Sequence, residues 1–164
     1  ICKAAGFMQE KKIGALIVFE RESQLGEIIN TGTIVDAVAS VSVVNNMFFP
    51  NSPLHDGAVV VRNGRIYAAG CILPLSQADL LNSSMGTRHR AAIGMSESSD
   101  AVVLVVSEET GTISIAEGGK ITRNYNAVTA AAELRRLILS NENQEKKMPV
   151  VTVLKKINPF KKSK

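Results

Sequence analysis

Both histidines of the chain, His55 and His89, sit in short polar clusters that interrupt apolar runs. The first cluster is Pro53-Leu54-His55-Asp56-Gly57-Ala58, the second Gly86-Thr87-Arg88-His89-Arg90, and the third Ser107-Glu108-Glu109-Thr110-Gly111. In the second, Arg88 and Arg90 bring planar, permanently charged donors that fork onto phosphate oxygens, and Thr87 adds a hydroxyl. A helix starting there would add free backbone N–H groups and a partial positive charge, both suited to phosphate. The same Arg-X-Arg also reads as a solvated helix face with surface ion pairs. In the first cluster, the Asp56 carboxylate can deprotonate or orient a hydroxyl nucleophile, or bind Mg²⁺ or Mn²⁺. Gly57 lets a ligand approach the backbone. The competing reading is an Asp-Gly turn that simply leads into a strand. In the third cluster, Glu108 and Glu109 are adjacent, so on extended backbone they point to opposite faces. One then suits a metal ion while the other meets solvent or an arginine; a plain charged loop is the alternative. Together the clusters supply phosphate ligands, a hydroxyl-activating carboxylate and a place for a divalent ion, which are the requirements of nucleotidyl transfer. They do not name the substrate. No Gly-rich loop ends in Lys-Ser or Lys-Thr, which argues against a P-loop.

These groups need elements to hold them. Apolar spacing predicts a short amphipathic helix over 2–12, a buried strand over 13–19, a short helix over 25–30 and a short strand over 34–38. A helix over 40–48 is stopped by Pro50. Two apolar runs, 58–62 and 65–73, are joined by Asn63-Gly64, the strongest short hairpin signal because both residues tolerate positive φ. A helix over 87–95 with Thr87 at its N-cap, strands over 101–106 and 112–116, and an alanine-rich helix over 127–139 follow. Residues 150–154 read as a last strand or a packed arm. The alternation, with at least one hairpin, predicts an α/β fold: a mixed central β-sheet flanked by helices, in a single domain. The polar clusters then fall at element ends, where a rigid scaffold presents side chains to a crevice.

The 164 residues suit one hydrophobic core, and with 4% aromatics and no Trp that core must be aliphatic. Cys2 and Cys71 show no metal-ligand spacing and are too few for a disulfide framework, so both read as reduced thiols. The formal net charge of +4 is unevenly spread. Residues 146–164 hold seven lysines and no acid, whereas residues 1–145 hold 12 basic and 15 acidic residues, net −3. A lysine-rich end can touch nucleic acid or an anionic lipid surface, or simply be solvated. A nucleic-acid-binding protein is disfavoured, because the folded part is acidic and lacks aromatic stacking platforms. No run of about 18 apolar residues spans a bilayer, and no signal peptide is visible. The chain begins at Ile1 rather than Met, so a preceding segment is expected.

Leu54-His55-Asp56-Gly57-Ala58 resembles the Asp-Gly-Ala motif of the diadenylate cyclases, and Gly86-Thr87-Arg88-His89-Arg90 resembles their Arg-His-Arg motif. The stretches 13–20, 73–76, 91–97 and 107–111 fall in the same order, so the resemblance covers roughly residues 10–120. It is greatest to the membrane-anchored branch found in Gram-positive bacteria and their wall-less relatives. The resemblance implies condensation of two ATP into cyclic di-AMP with release of two pyrophosphates. It implies that Asp56 activates the ribose 3′-hydroxyl of one ATP for attack on the α-phosphate of the other. Gly57 and Ala58 would lie along the nucleotide, and Leu73 would meet adenine through its backbone. Thr87, Arg88, Arg90 and Ser107 would hold phosphates; His55, Glu109 and Glu108 would be metal ligands, for Mg²⁺ or Mn²⁺ with Co²⁺ as a third option. Two domains would have to meet face to face as a homodimer, each with one ATP. The implied layout is an N-terminal helix over 1–12 leading from a membrane segment, a catalytic domain over 13–140 and a basic extension over 141–164. The whole would be a cytoplasmic domain of a protein anchored at the cell membrane. Where many members of the family carry Tyr before Leu-Pro, this chain has Ile72, which removes a ring from the adenine-stacking position; residues 39–46 are also less typical. A non-catalytic module that binds ATP or cyclic di-AMP is the alternative, and the intact Asp56, Arg88 and Arg90 weigh against it.

Overall fold

The structure is a computed structural model that describes residues 1–77 and 85–145. The expected arm at 150–154 and the lysine-rich extension lie outside the described residues. Among those described, seven strands form one mixed sheet in the order β2-β4-β3-β1-β5-β6-β7, with five helices on its two faces.

The centre of the sheet is built from strands with no polar face. β1 (Ala15–Phe19) and β5 (Val102–Val106) are buried at every position. A continuous apolar run of this kind must be covered on both sides. β1 pairs parallel with β3 (Ala58–Arg62), Ile17 opposite Val59, and antiparallel with β5, Ile17 opposite Leu104. Because side chains alternate across a strand, successive residues enter different cores. Ile17, Val59 and Leu104 pack under α1 (Cys2–Lys11), α3 (Val41–Phe48) and α5 (Ala127–Glu145). Leu16, Val18, Val60, Val103 and Val105 pack on the other face, under α2 (Gly26–Ile29) and α4 (Thr87–Ser98). Full burial of each such aliphatic side chain stabilises the fold by about 1.5–3 kcal/mol.

Local chemistry sets the ends. Asn63 and Gly64 take φ of 50° and 73°, turning β3 into β4 (Arg65–Cys71) as a two-residue hairpin. β4 stops two residues short of the expected 65–73: the Ile72 N–H leaves the ladder to donate to Thr31 Oγ1 at 2.8 Å. Ser40 caps α3 by accepting from the Val43 N–H at 3.2 Å. Asn126 Oδ1 accepts from the N–H groups of Val128 and Thr129, both at 2.9 Å, and starts α5. That helix runs on to Glu145, six residues past its expected end and through the expected boundary at 140. β2 (Thr33–Val38) pairs only with β4 and forms one edge. The other edge is β7 (Lys120–Tyr125), a strand that apolar patterning does not predict, joined to β6 (Ile113–Glu117) by Gly118-Gly119 at φ 54° and 76°. No helix among the described residues is long and apolar enough to cross a membrane. Cys71 is unpaired, and burial pushes its thiol up to about 11, so it stays protonated at neutral pH.

Candidate active site

The three polar clusters meet at one end of the sheet. Pairing of Ala15 with Val106, Ala58 with Cys71 and Val106 with Ile113 aligns the starts of β1, β3 and β6 with the ends of β4 and β5. The site therefore gathers at the amino ends of the parallel pair β1 and β3, not at the carboxyl ends where open α/β sheets usually bind ligands. A cleft of about 660 Å³ opens there, lined by Asp56, Leu73, Thr87, Arg88 and Glu108 among others. The Asp56 side chain is exposed and makes no hydrogen bond or ion pair among the described residues. A carboxylate left free in this way can take a proton from a ligand.

Gly57 has φ +94°, and a Cβ there would lie 2.8 Å from the Cys71 carbonyl oxygen of β4. Glycine is needed at this position to bring the start of β3 against β4, which holds Asp56 at the lip of the cleft. Ala58, the first residue of β3, is fully buried beneath it.

Across the cleft, α4 presents its amino end. The N-cap is Gly86, with no side-chain cap bond, and Thr87 is the first helical residue rather than the cap expected from sequence. The first-turn N–H groups are therefore left without a capping side chain, and Thr87 and Arg88 line the cleft. Arg88 Nη1 donates to Glu108 Oε2 at 2.6 Å. Gly14 lies against this pair: a Cβ there would stand 2.6 Å from Arg88 Nη1 and 3.1 Å from Glu108 Oε2. The start of β1 thus leaves the space that the guanidinium occupies.

A smaller cleft of about 180 Å³ adjoins the first, sharing Thr87, Arg88 and Glu108 with it. Ser107, Glu109, His89 and Arg123 complete much of its wall. Ser107 is buried, and its Oγ accepts from the Thr110 N–H at 3.2 Å, which folds the 107–111 turn that presents Glu108 and Glu109.

Arg90 and His55 sit elsewhere. Arg90 lines neither of these two clefts; its Nη2 points to the Ser76 carbonyl oxygen at 3.5 Å, and its own carbonyl accepts from the Ser76 N–H at 3.1 Å. Two residues apart on a helix is a rotation of about 200°, so Arg88 and Arg90 leave on opposite sides. Arg90 thus supports the 74–76 segment. Gly94, one turn further along α4, does the same by closeness: a Cβ there would meet Ser76 N at 2.6 Å and overlap the Pro74 carbonyl oxygen. The half-buried His55 also lines neither cleft, and its Nδ1 lies 2.6 Å from the Ser52 carbonyl oxygen. No group of three His, Cys, Asp or Glu among the described residues is arranged to hold a metal ion. The Glu108 and Glu109 carboxylates fit instead the pattern of Mg²⁺ or Mn²⁺ sites that borrow most of their oxygens from phosphate and water.

A family model described as DisA bacterial checkpoint controller nucleotide-binding (DAC) matches residues 2–121. The chain belongs to the DAC family. Among DAC relatives, the cyclic di-AMP synthase CdaA of Bacillus subtilis (strain 168) is 46% identical over 123 residues, 75% of this chain and 45% of the relative. A diadenylate cyclase of Listeria monocytogenes serotype 1/2a (strain 10403S) is 42% identical over 137 residues, 84% of this chain and 49% of the relative. The chain spans about half the length of these curated relatives. The crystal structure of a DacA double mutant from Staphylococcus aureus has the same α/β fold, with a TM-score of 0.79 at 44% identity over 84% of this chain and 91% of that one. The DAC match takes in all three polar clusters and Gly14, and stops two residues short of Arg123. Neither Gly14 nor Arg123 is marked by the local pattern that picks out the clusters. Both matter only because the sheet brings them across to α4.

Proposed function

We propose that the chain is a diadenylate cyclase domain that condenses two ATP into cyclic di-AMP and two pyrophosphates. The observation that carries the reading is that Asp56 and Arg88, 32 positions apart in the chain, line one cleft of about 660 Å³. That volume suits a nucleotide-sized ligand. Asp56 accepts the proton of a ribose 3′-hydroxyl, and the oxygen attacks the α-phosphorus of the second ATP. Thr87, Arg88 and the open first turn of α4 hold the phosphates. Leu73 borders the base end. Glu108 and Glu109 would hold a divalent ion, which would supply charge neutralisation when bound; His55, with Nδ1 already engaged, would have to swing toward the cleft to join them. Arg90 acts by holding the 74–76 segment.

One cleft accommodates one ATP, so the exposed Asp56 works on a nucleotide brought by a second copy of the chain. A two-fold face-to-face pair makes both attacks equivalent. The full-length protein is read as membrane-anchored through a segment outside this chain. Incubation with ATP and Mn²⁺ across protein concentrations, with nucleotides separated by chromatography, tests the reading. Cyclic di-AMP formed at a rate rising faster than linearly with protein supports both the activity and the pairing. ATP binding without product at any concentration would instead mark a nucleotide-binding module.

Two substitutions probe the cleft walls. Gly14→Ala meets the far ends of the Arg88 and Glu108 side chains rather than backbone, and Gly14 does not have a positive φ, so the fold should tolerate it. The guanidinium must move, however, and the KM for ATP is expected to rise about tenfold, as for a weakened charge-assisted contact, with little change in Tm. Ile72 is 69% exposed at the cleft wall. Ile72→Tyr restores a ring there and is expected to tighten ATP binding by about 1 kcal/mol, the lower end of base-stacking values, measured by calorimetry.

A further inference from the structure

Arg123 belongs to none of the motifs that drew attention to the site, yet it lines the smaller cleft with Arg88, His89 and Ser107. A bulge in an edge strand puts it there. β6 advances by two residues from Ile113 to Ile115 while β7 runs from Tyr125 to Thr122, three residues, so one residue of β7 is extra. Asn124, next to Arg123, takes φ 70° to absorb it. Bulges of this kind re-aim a side chain next to a site. A second, independent observation points to an occupant. His89 is only 4% exposed, lines the same cleft, and its Nε2 finds no hydrogen-bond partner among the described residues. A buried polar group left in that state is costly unless a ligand satisfies it. Burial, reinforced by the Arg123 charge and opposed by Glu109, also holds the imidazole below its usual pKa, so it is neutral at neutral pH.

The two clefts meet at Thr87 and at the Arg88–Glu108 pair. If the nucleoside fills the larger and the α-phosphate lies at the junction, the chain of phosphates continues into the smaller. We propose that the smaller cleft receives the pyrophosphate end of ATP and that Arg123 grips it as the leaving group. The inference rests on the cyclase reading. As the 3′-oxygen bonds to the α-phosphorus, the bond from that phosphorus to the bridging oxygen breaks. The bridging oxygen keeps the electron pair and departs as part of pyrophosphate, while the hydroxyl proton goes to Asp56. Arg123 and Arg88 offset the charge that builds on the departing oxygens. Glu108 and Glu109 in the same wall oppose a bare anion, so binding is to be measured with Mn²⁺ present.

The test is calorimetric titration of wild type, Arg123→Ala and Arg123→Lys with inorganic pyrophosphate, ATP and cyclic di-AMP. Arg123→Ala is expected to weaken pyrophosphate and ATP by about tenfold or more while leaving cyclic di-AMP within about twofold, because the product has no β- or γ-phosphate. Arg123→Lys is expected to recover part of the loss, since it keeps the charge and not the fork. Equal weakening of all three ligands would show a structural role and overturn the proposal, as would unchanged pyrophosphate binding. Arg123 is exposed on an edge strand, so the variants should fold. A wild type that neither binds ATP nor forms product would sink the cyclase reading and this inference together. A wild type that makes cyclic di-AMP beside an unaffected Arg123→Ala would sink this inference alone.

Discussion

Asp56→Asn is expected to lower cyclic di-AMP formation by about 10²–10⁴-fold, the usual worth of a positioned general base, with ATP affinity almost unchanged. The amide keeps the size and shape of the carboxylate and cannot accept the proton. The Asp56 carboxylate is exposed and has no partner among the described residues, so neutralising it breaks no contact and leaves the fold intact. Thr87, Arg88 and Leu73 still line the cleft to bind the nucleotide. Product formation followed by chromatography, set beside ATP affinity from calorimetry, separates the two effects. A variant that turns over at the normal rate would remove Asp56 from the chemistry.

Arg88→Ala is expected to do the reverse and act first on binding. Loss of a charge-assisted contact to phosphate is worth about 1.5–3 kcal/mol, or about 10–150-fold in the dissociation constant. The Arg88 side chain is 24% exposed, and its partner Glu108 is 63% exposed. Breaking their ion pair in the free protein should therefore cost little stability. Calorimetric titration with ATP and a thermal melt check both statements. Unchanged ATP affinity would place the triphosphate away from α4 and dismantle the assignment of the cleft.

Much of this was legible in the residues. The unbroken apolar runs of β1 and β5 announce strands buried on both faces, and Asn63-Gly64 announces the hairpin between β3 and β4. β7 was not, because Lys120–Tyr125 is a largely exposed edge with no apolar alternation; the Gly118-Gly119 pair ahead of it was the available signal. At the site, Asp56, Thr87, Arg88 and Glu108 stood out as polar residues at element ends, and the fold brings them to one cleft. Arg90 looked equivalent to Arg88, but helical geometry separates residues two apart, and Arg90 turns toward Ser76. Arg123, and the part that Gly14 plays within the matching stretch 13–20, stayed hidden for a different reason. Gly14 acts by making room for a side chain 74 positions later, Arg123 through a bulge, and neither close approach nor strand irregularity leaves a local pattern.

The absence of a side chain at Gly94 has a consequence of its own. With no Cβ in the way, the helix lies so near the backbone at Pro74 and Ser76 that neither can slide past the other. One of these partners begins with the turn that carries Thr87 and Arg88, and the other continues from Leu73, which also borders the cleft. The distance between them is therefore set by the scaffold and not by whatever enters. Such a hollow would work as a gauge of fixed span: a guest too short for it could not reach both borders at once.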